Sequence, residues 1–221
     1  MVSVKGDKFV PRNESVLNKT GKSWSAWFKL MEKWGAAQKG HKQTARYLEA
    51  EHGLTAWWAQ TITVEYERAR GLRQVGQRSG GKFTVSLQRT VTASPEGAFD
   101  AFTQPAHLST WFTRSAQVDL RVGGRYSNAD NDQGEFLLLE RPERLRFTWD
   151  NPEHCPGTVV EVRFTSKPGG RVTVQLEHSG IESEDGYLDM KKGWTWAMDS
   201  CKSYLEKGKP LPYEEWERNN A

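Results

Sequence analysis

Glu184-Asp-Gly-Tyr-Leu-Asp-Met-Lys-Lys-Gly-Trp-Thr-Trp-Ala-Met-Asp-Ser-Cys-Lys-Ser-Tyr-Leu-Glu-Lys-Gly208 reads as one long helix near the end of the chain. Tyr187, Met190, Trp194, Ala197, Met198, Cys201, Tyr204 and Leu205 recur at three-and-four spacing, which stacks them on one helical face. The stripe mixes aromatic rings with thioethers and a thiol, so it fits either a packed core or the wall of a cavity. Trp196 follows Trp194 by two residues, about 200° further round at 100° per residue, and is expected to point away from that face. Gly193 costs roughly 1 kcal/mol relative to Ala inside a helix, which the close approach of another element would explain.

Upstream of the helix the period changes from 3.6 to 2. Phe83, Val85, Leu87, Arg89 and Val91 alternate with Thr84, Ser86, Gln88 and Thr90, the pattern of a strand with one buried face. Ser94-Pro95-Glu96 opens a helix carrying Ala98, Phe99 and Phe102, and Pro105 opens a second that ends near Trp111-Phe112. Strand-like runs follow at 116–120, 124–128, 134–140, 144–149, 158–165 and 171–178. Gly123-Gly124, Asn131-Asp132, Arg141-Pro142-Glu143, Asn151-Pro152 with Pro156-Gly157, and Pro168-Gly169-Gly170 separate them as turns. The order is strand, two helices, six strands, long helix. It predicts an α+β domain over 83–208, a curved antiparallel sheet whose apolar face the long helix covers, with 209–221 as a tail.

Towards the N-terminus the composition shifts. Residues 1–82 hold 15 Lys and Arg against 7 Asp and Glu, whereas residues 83–221 hold 16 against 21. Residues 1–20 are polar and without period, a lead-in. Ser23 caps a helix bearing Trp24, Trp27, Phe28, Met31 and Trp34, stopped by Gly35. A second runs from His41 to His52 before Gly53, and Thr55 caps a third carrying Trp57, Trp58, Ile62 and Tyr66. The result is a three-helix domain over 21–72, joined to the sheet domain by the Gly-rich linker 73–82, with the boundary near Ser79.

With 221 residues, 36% apolar and 27% charged, the chain has the composition of a soluble protein able to bury a core. No run approaches the roughly 20 apolar residues of a membrane span, and residues 1–8 lack the apolar centre of a signal peptide. Cytoplasm is the expected compartment, and Cys155 and Cys201 are expected as reduced thiols.

Two resemblances rest on particular residues. Thr20-Gly-Lys-Ser-Trp-Ser-Ala-Trp-Phe28, Gly35-Ala-Ala-Gln-Lys-Gly-His41, Glu51-His-Gly53 and Trp57-Trp58-Ala-Gln, with Tyr66-Glu and Arg70-Gly-Leu-Arg73, resemble the small helical DUF4287 domain of unknown function over about 15–75. Pro95, Ala98-Phe99, Phe102-Thr103, His107-Leu108, Trp111-Phe112, Gly123-Gly-Arg-Tyr126, Leu145-Arg-Phe-Thr-Trp149, Val160-Glu-Val-Arg-Phe164, His178-Ser-Gly180 and Gly193-Trp194 resemble the AHSA1-like branch (activator of Hsp90 ATPase homologue 1-like) of the START/SRPBCC superfamily. That resemblance spans about 83–207. It implies the helix-grip fold, in which sheet and long helix enclose a hydrophobic cavity.

Alternate strand residues then give the expected lining: Trp111, Tyr126, Phe136, Leu138, Phe147, Trp149, Val160, Val162, Phe164, Leu176, His178, Tyr187, Trp194 and Met198. A one-residue slip reverses any strand's facing. The leading function is non-enzymatic binding of a small hydrophobic molecule, with no cofactor and no metal. A hydrolase or cyclase in the same cavity is the alternative, with His178 and Glu135 or Glu161 as its acid–base candidates; nucleophile-elbow, phosphate-loop and His-Glu-x-x-His signatures are absent. His41 and His52 lack the spacing of a metal site, and His154-Cys155 is a loop pair with too few ligands. In the basic domain Trp57, Trp58, Arg68, Arg70 and Arg73 are candidate interaction residues. Arg beside aromatic rings suits nucleic acid, but the same cluster complements a helix dipole, so nucleic acid is not the expected partner. An Hsp90 co-chaperone role rests on the second domain's resemblance alone, because Lys22-Ser-Trp-Ser-Ala-Trp-Phe28 does not match the Asn- and Trp-rich signature of those activators' first domain. The basic domain is expected to mediate contacts with a partner or within the chain, and to cover Trp196.

Overall fold

A computed structural model describes residues 11–78 and 81–220. The chain divides into two compact units, Met1–Ser79 and Gly80–Ala221. The start of the lead-in, residues 1–10, and the boundary at Ser79 lie outside the described residues.

Among the described residues the first unit holds the three expected helices, here α2, α4 and α5, and two shorter ones: α1 (Asn13–Thr20), α2 (Trp24–Trp34), α3 (Ala36–Lys39), α4 (His41–His52) and α5 (Ala56–Ala69). Ser23 and Thr55 cap α2 and α5 through their hydroxyls, and Gly35 (φ 79°) and Gly53 (φ 63°) end α2 and α4 in the left-handed conformation. Val16, Trp27, Met31, Ala36, Leu48, Ala59, Ile62 and Tyr66 form its core. Helix α1 falls in the expected lead-in. It buries only Val16, so it has no stripe to read; Thr20 Oγ1 ties it to α2 by accepting from Trp27 Nε1 at 2.7 Å.

The second unit runs β1 (Phe83–Thr92), α6 (Pro95–Ala101), α7 (Pro105–Trp111), β2 (Ala116–Val118), β3 (Arg125–Asn128), β4 (Gln133–Glu140), β5 (Arg144–Trp149), β6 (Thr158–Lys167), β7 (Arg171–Ile181), α8 (Glu184–Lys207) and α9 (Tyr213–Asn220). All seven strands join one antiparallel sheet in the order β1-β7-β6-β5-β4-β3-β2. Helix α8 covers its apolar face, giving the helix-grip fold. The Ser183 hydroxyl caps α8, Glu184 and Asp185 complement its N-terminal dipole, and Gly208 (φ 68°) ends it. Tyr187, Met190, Trp194, Ala197, Met198 and Cys201 are buried on the side the spacing predicts, and Tyr204 and Leu205 pack partly buried beside them.

Register fixes which strand residues face the helix. Phe136, Phe147, Val160, His178 and Val85 form one row across the sheet, and Leu139, Leu145, Val162, Leu176 and Leu87 another. Between them runs the outward row Leu138, Arg146, Glu161, Glu177 and Ser86. Leu138 is therefore corrected: a bulge between Phe136 and Leu138 adds a residue to β4, reverses the alternation and sends Leu139 to the core in its place. The expected tail is also corrected, because most of it is α9.

Candidate functional site

The centre of the helix–sheet interface is filled. Val160, Val162, Phe164, Leu176, Met198 and Tyr187 are buried in the core, with Tyr187 stacked on Phe83 at 5.7 Å. These six do not line the open groove. His178 is fully buried among them. Its Nδ1 accepts from Trp194 Nε1 at 2.9 Å, which leaves Nε2 to donate to Thr158 Oγ1 at 2.6 Å; the Thr158 hydroxyl in turn donates to the Cys155 carbonyl at 2.7 Å. Burial pulls the imidazole down to about 4, so it is neutral at pH 7.

The acid–base pairing of His178 with Glu135 or Glu161 is not formed. Glu161 lies in the outward row and bonds Arg163 Nε at 2.5 Å, and Glu135 is exposed opposite Arg125. Both carboxylates share the face that water covers, whereas His178 spends both nitrogens inside. Tyr126 is likewise committed, its hydroxyl donating to the Thr148 carbonyl at 2.9 Å.

Open space lies at one end of the sheet, beside the first half of α8. A groove of about 580 Å³ is bounded by the end of α7 and the residues after it (110–114), the β3–β4 turn, the β5–β6 loop, α8 and the segment 210–214 leading into α9. Its walls are aromatic. Phe112 stacks on Trp194 (5.7 Å, 6° between planes), Trp149 meets Trp194 edge-on at 5.2 Å, and Trp196 meets Tyr213 at 5.5 Å. Gly193 also lines it, and a Cβ there would meet nothing within 4 Å. The glycine therefore opens the groove, where the sequence had suggested a closely packed element.

Beneath Phe112 a second space of about 50 Å³ is bounded by Phe102, Leu108, Tyr126, Phe136 and Phe147. Trp111, Phe112, Thr113 and Trp194 contribute to both. Of the expected lining, Trp111, Tyr126, Phe136, Phe147, Trp149 and Trp194 thus border open space.

Polar groups gather on the wall opposite α8. Asp130 accepts from Thr113 Oγ1 at 2.6 Å, and Asp132, buried, accepts from Asn128 and Asn151 side-chain amides, each at 2.8 Å. His154 pairs with Asp189 at 2.8 Å. Cys155 sits in the same loop; burial, then the Asp189 charge, push its thiol up, the opposite of what a reactive thiolate requires. Among the described residues no group of three His, Cys, Asp or Glu side chains could hold a metal.

Trp196 is half-buried, and its cover is the C-terminal segment: Nε1 donates to the Leu211 carbonyl at 2.8 Å. Ser200 Oγ accepts from Leu211 N, and Trp216 Nε1 donates to Asp199 at 3.0 Å. Phe112, Asp130, Asp132, Asn151, Leu211 and Tyr213 were not among the expected site residues. The turn pair Asn131-Asp132 and the Pro210-Leu-Pro212 sequence were visible, but nothing in them signals that they meet.

In the first unit the candidate cations are engaged locally. Arg68 pairs with Glu65 at 2.7 Å, Arg70 with Glu32, and Arg73 with Glu67 at 2.7 Å beside His41. Trp57 is 55% exposed and meets Trp58 edge-on at 4.7 Å. Trp57 is exposed while Trp58 packs partly buried against the unit's core, and the three candidate arginines are each paired with a carboxylate, which engages the particular cations a nucleic-acid surface at this place would use. No helix among the described residues is long and apolar enough to cross a membrane.

A family model described as activator of Hsp90 ATPase homolog 1-like protein matches residues 92–206, just over half of the chain, and a model of the DUF4287 domain of unknown function matches 13–68. The crystal structure of CalU16 from Micromonospora echinospora is 27% identical, with 63% of this chain and 83% of that one covered and a TM-score of 0.54. The Aha1 dimer from Colwellia psychrerythraea shares the fold: 22% identity, 57% and 98% coverage, TM-score 0.52. An uncharacterized protein of Schizosaccharomyces pombe is 29% identical over 99 residues, covering 41% of this chain; the chain spans only 30% of that relative's length.

Proposed function

The chain belongs to the activator of Hsp90 ATPase homolog 1-like family, and from that premise we propose that its second unit binds a small, largely apolar molecule without transforming it. The site is the groove beside the first half of α8 rather than a central cavity between sheet and helix. One observation carries this: about 580 Å³ of open space walled by Trp149, Trp194, Trp196, Phe112 and Tyr213 beside an otherwise filled core. That volume falls in the range of small-molecule sites, and aromatic walls with a few polar groups are their usual construction. Binding is favoured over hydrolysis or cyclisation because the best acid–base candidate, His178, is neutral, enclosed and on the opposite sheet face from Glu161. Contacts with a protein partner are assigned to the first unit, where Trp57 and Trp58 are the candidate anchors, and the cytoplasm is the proposed compartment.

Native mass spectrometry of the full-length protein tests the reading. The wild type should retain a small molecule that organic extraction releases, and Gly193→Leu, which fills the groove from the helix side, should lose it. Retention of the same molecule by both proteins, or by neither, would overturn it.

A further inference from the structure

The groove and the small space beneath Phe112 differ sharply in character. The small space is enclosed almost wholly by apolar side chains, whereas the groove carries Asp130 and Asp132 on one wall. Neither carboxylate is bonded to a cation among the described residues: Asp130 is held by a threonine hydroxyl and Asp132 by two asparagine amides. The basic groups of the groove have other partners or lie at its rim, and His154, the one near enough to act on Asp132, only opposes the upward push on that carboxyl. Lys192 pairs with Glu217, His154 with Asp189, and Arg114 is exposed at the rim. A carboxylate that is 93% buried and fixed only by neutral donors retains acceptor capacity and a desolvated negative charge. Burial chiefly, and then the Asp130 carboxylate, push Asp132 up despite its amide bonds, a penalty that a cation at this wall would relieve. Aromatic faces beside the acids also favour a cation, since ring quadrupoles attract positive charge within about 6 Å.

Resting on the ligand-binding reading above, we propose that the two spaces are one site for an organic ammonium with an apolar tail. The head lies between the Asp130–Asp132 wall and the Trp149, Trp194 and Trp196 rings, and the tail enters beneath Phe112. Phe112 is the partition, because its ring contributes to both spaces and is held by ring contacts with Trp111 at 5.3 Å, Trp194 at 5.7 Å and Trp196 at 6.4 Å. Displacing that ring merges them.

Isothermal titration of the full-length protein with n-octylamine, 1-octanol and octanoate separates head from tail. The amine should bind at least tenfold more tightly than the alcohol, and the carboxylate more weakly still. Asp130→Asn, at an exposed position, and the near-isosteric Asp132→Asn should each remove most of that preference, read as the ratio of amine to alcohol affinity within each variant. Phe112→Ala should steepen the gain in affinity from butylamine to octylamine. Equal binding of amine and alcohol, or preference for octanoate, would overturn the cationic assignment while leaving the ligand-binding reading intact. Failure of all three probes, together with no retained molecule in the native spectrum, would remove both.

Discussion

Acidification should destabilise the second unit through one residue. His178 is charged in the unfolded chain below about pH 6.5 but resists protonation in the fold down to about 4, because its ring is buried and its Nδ1 must stay an acceptor for Trp194. Between those values the unfolded state holds more protons, so stability falls as pH falls; the slope is halved at pH 6.5 and vanishes well above it. At about 1.4 kcal/mol per pH unit the full effect is about 3 kcal/mol, and the portion between pH 7 and pH 4.5 is roughly 2 kcal/mol. Urea unfolding followed by near-ultraviolet circular dichroism at both pH values measures it, with His178→Gln as the reference in which this component of the slope is gone. Because that variant gives up two buried hydrogen bonds, the imidazole should also be followed directly by NMR in the wild type. A His178 ring that titrates near 6.5 in the folded protein, or equal acid slopes in the two proteins, would refute the reasoning.

Glycine substitutions should separate open space from tight packing. Gly193→Ala meets nothing and restores helix propensity, so it should stabilise the protein by about 0.5–1 kcal/mol in thermal unfolding. At Gly134 an added Cβ would collide with the Thr148 carbonyl and the Tyr126 ring, so Gly134→Ala should destabilise by more than about 3 kcal/mol. In the first unit Arg73→Glu sets like charges together at a site only 12% exposed, so it should lower that unit's melting temperature by several degrees. At 20 mM salt the wild type should show no measurable retention on a single-stranded DNA column; retention abolished by Arg70→Glu would restore the nucleic-acid reading.

Elements with a repeating pattern were legible in the sequence. The α8 stripe named its buried residues because eight positions repeat, and the strands alternated between turns marked by Gly, Pro and Asn. Leu138 was misplaced because a bulge leaves alternation intact in composition while shifting it in space. Helix α1 was missed because a single buried valine makes no period, and α9 because its cohesion comes from Trp196, Trp216 and Ser200 bonds that only the folded chain brings together. The groove was harder still. Besides α8, four short segments at the end of α7, in the β3–β4 turn, in the β5–β6 loop and ahead of α9 supply its walls, and their meeting is set by sheet register rather than by any local motif. The resemblance gave the fold and the idea of a cavity, but the core residues that fill its centre are themselves among the expected lining.

Ten tryptophans divide into two reporters: Trp24, Trp27, Trp34, Trp57 and Trp58 in the first unit, and Trp111, Trp149, Trp194, Trp196 and Trp216 in the second. A nitrogen–proton NMR titration of the indole signals with 1-octanol and n-octylamine therefore locates binding directly. The groove account predicts saturable shifts of Trp149, Trp194 and Trp196 with the five first-unit signals unmoved. Saturable binding that moves only first-unit signals, or leaves the three groove indoles in place, would contradict it.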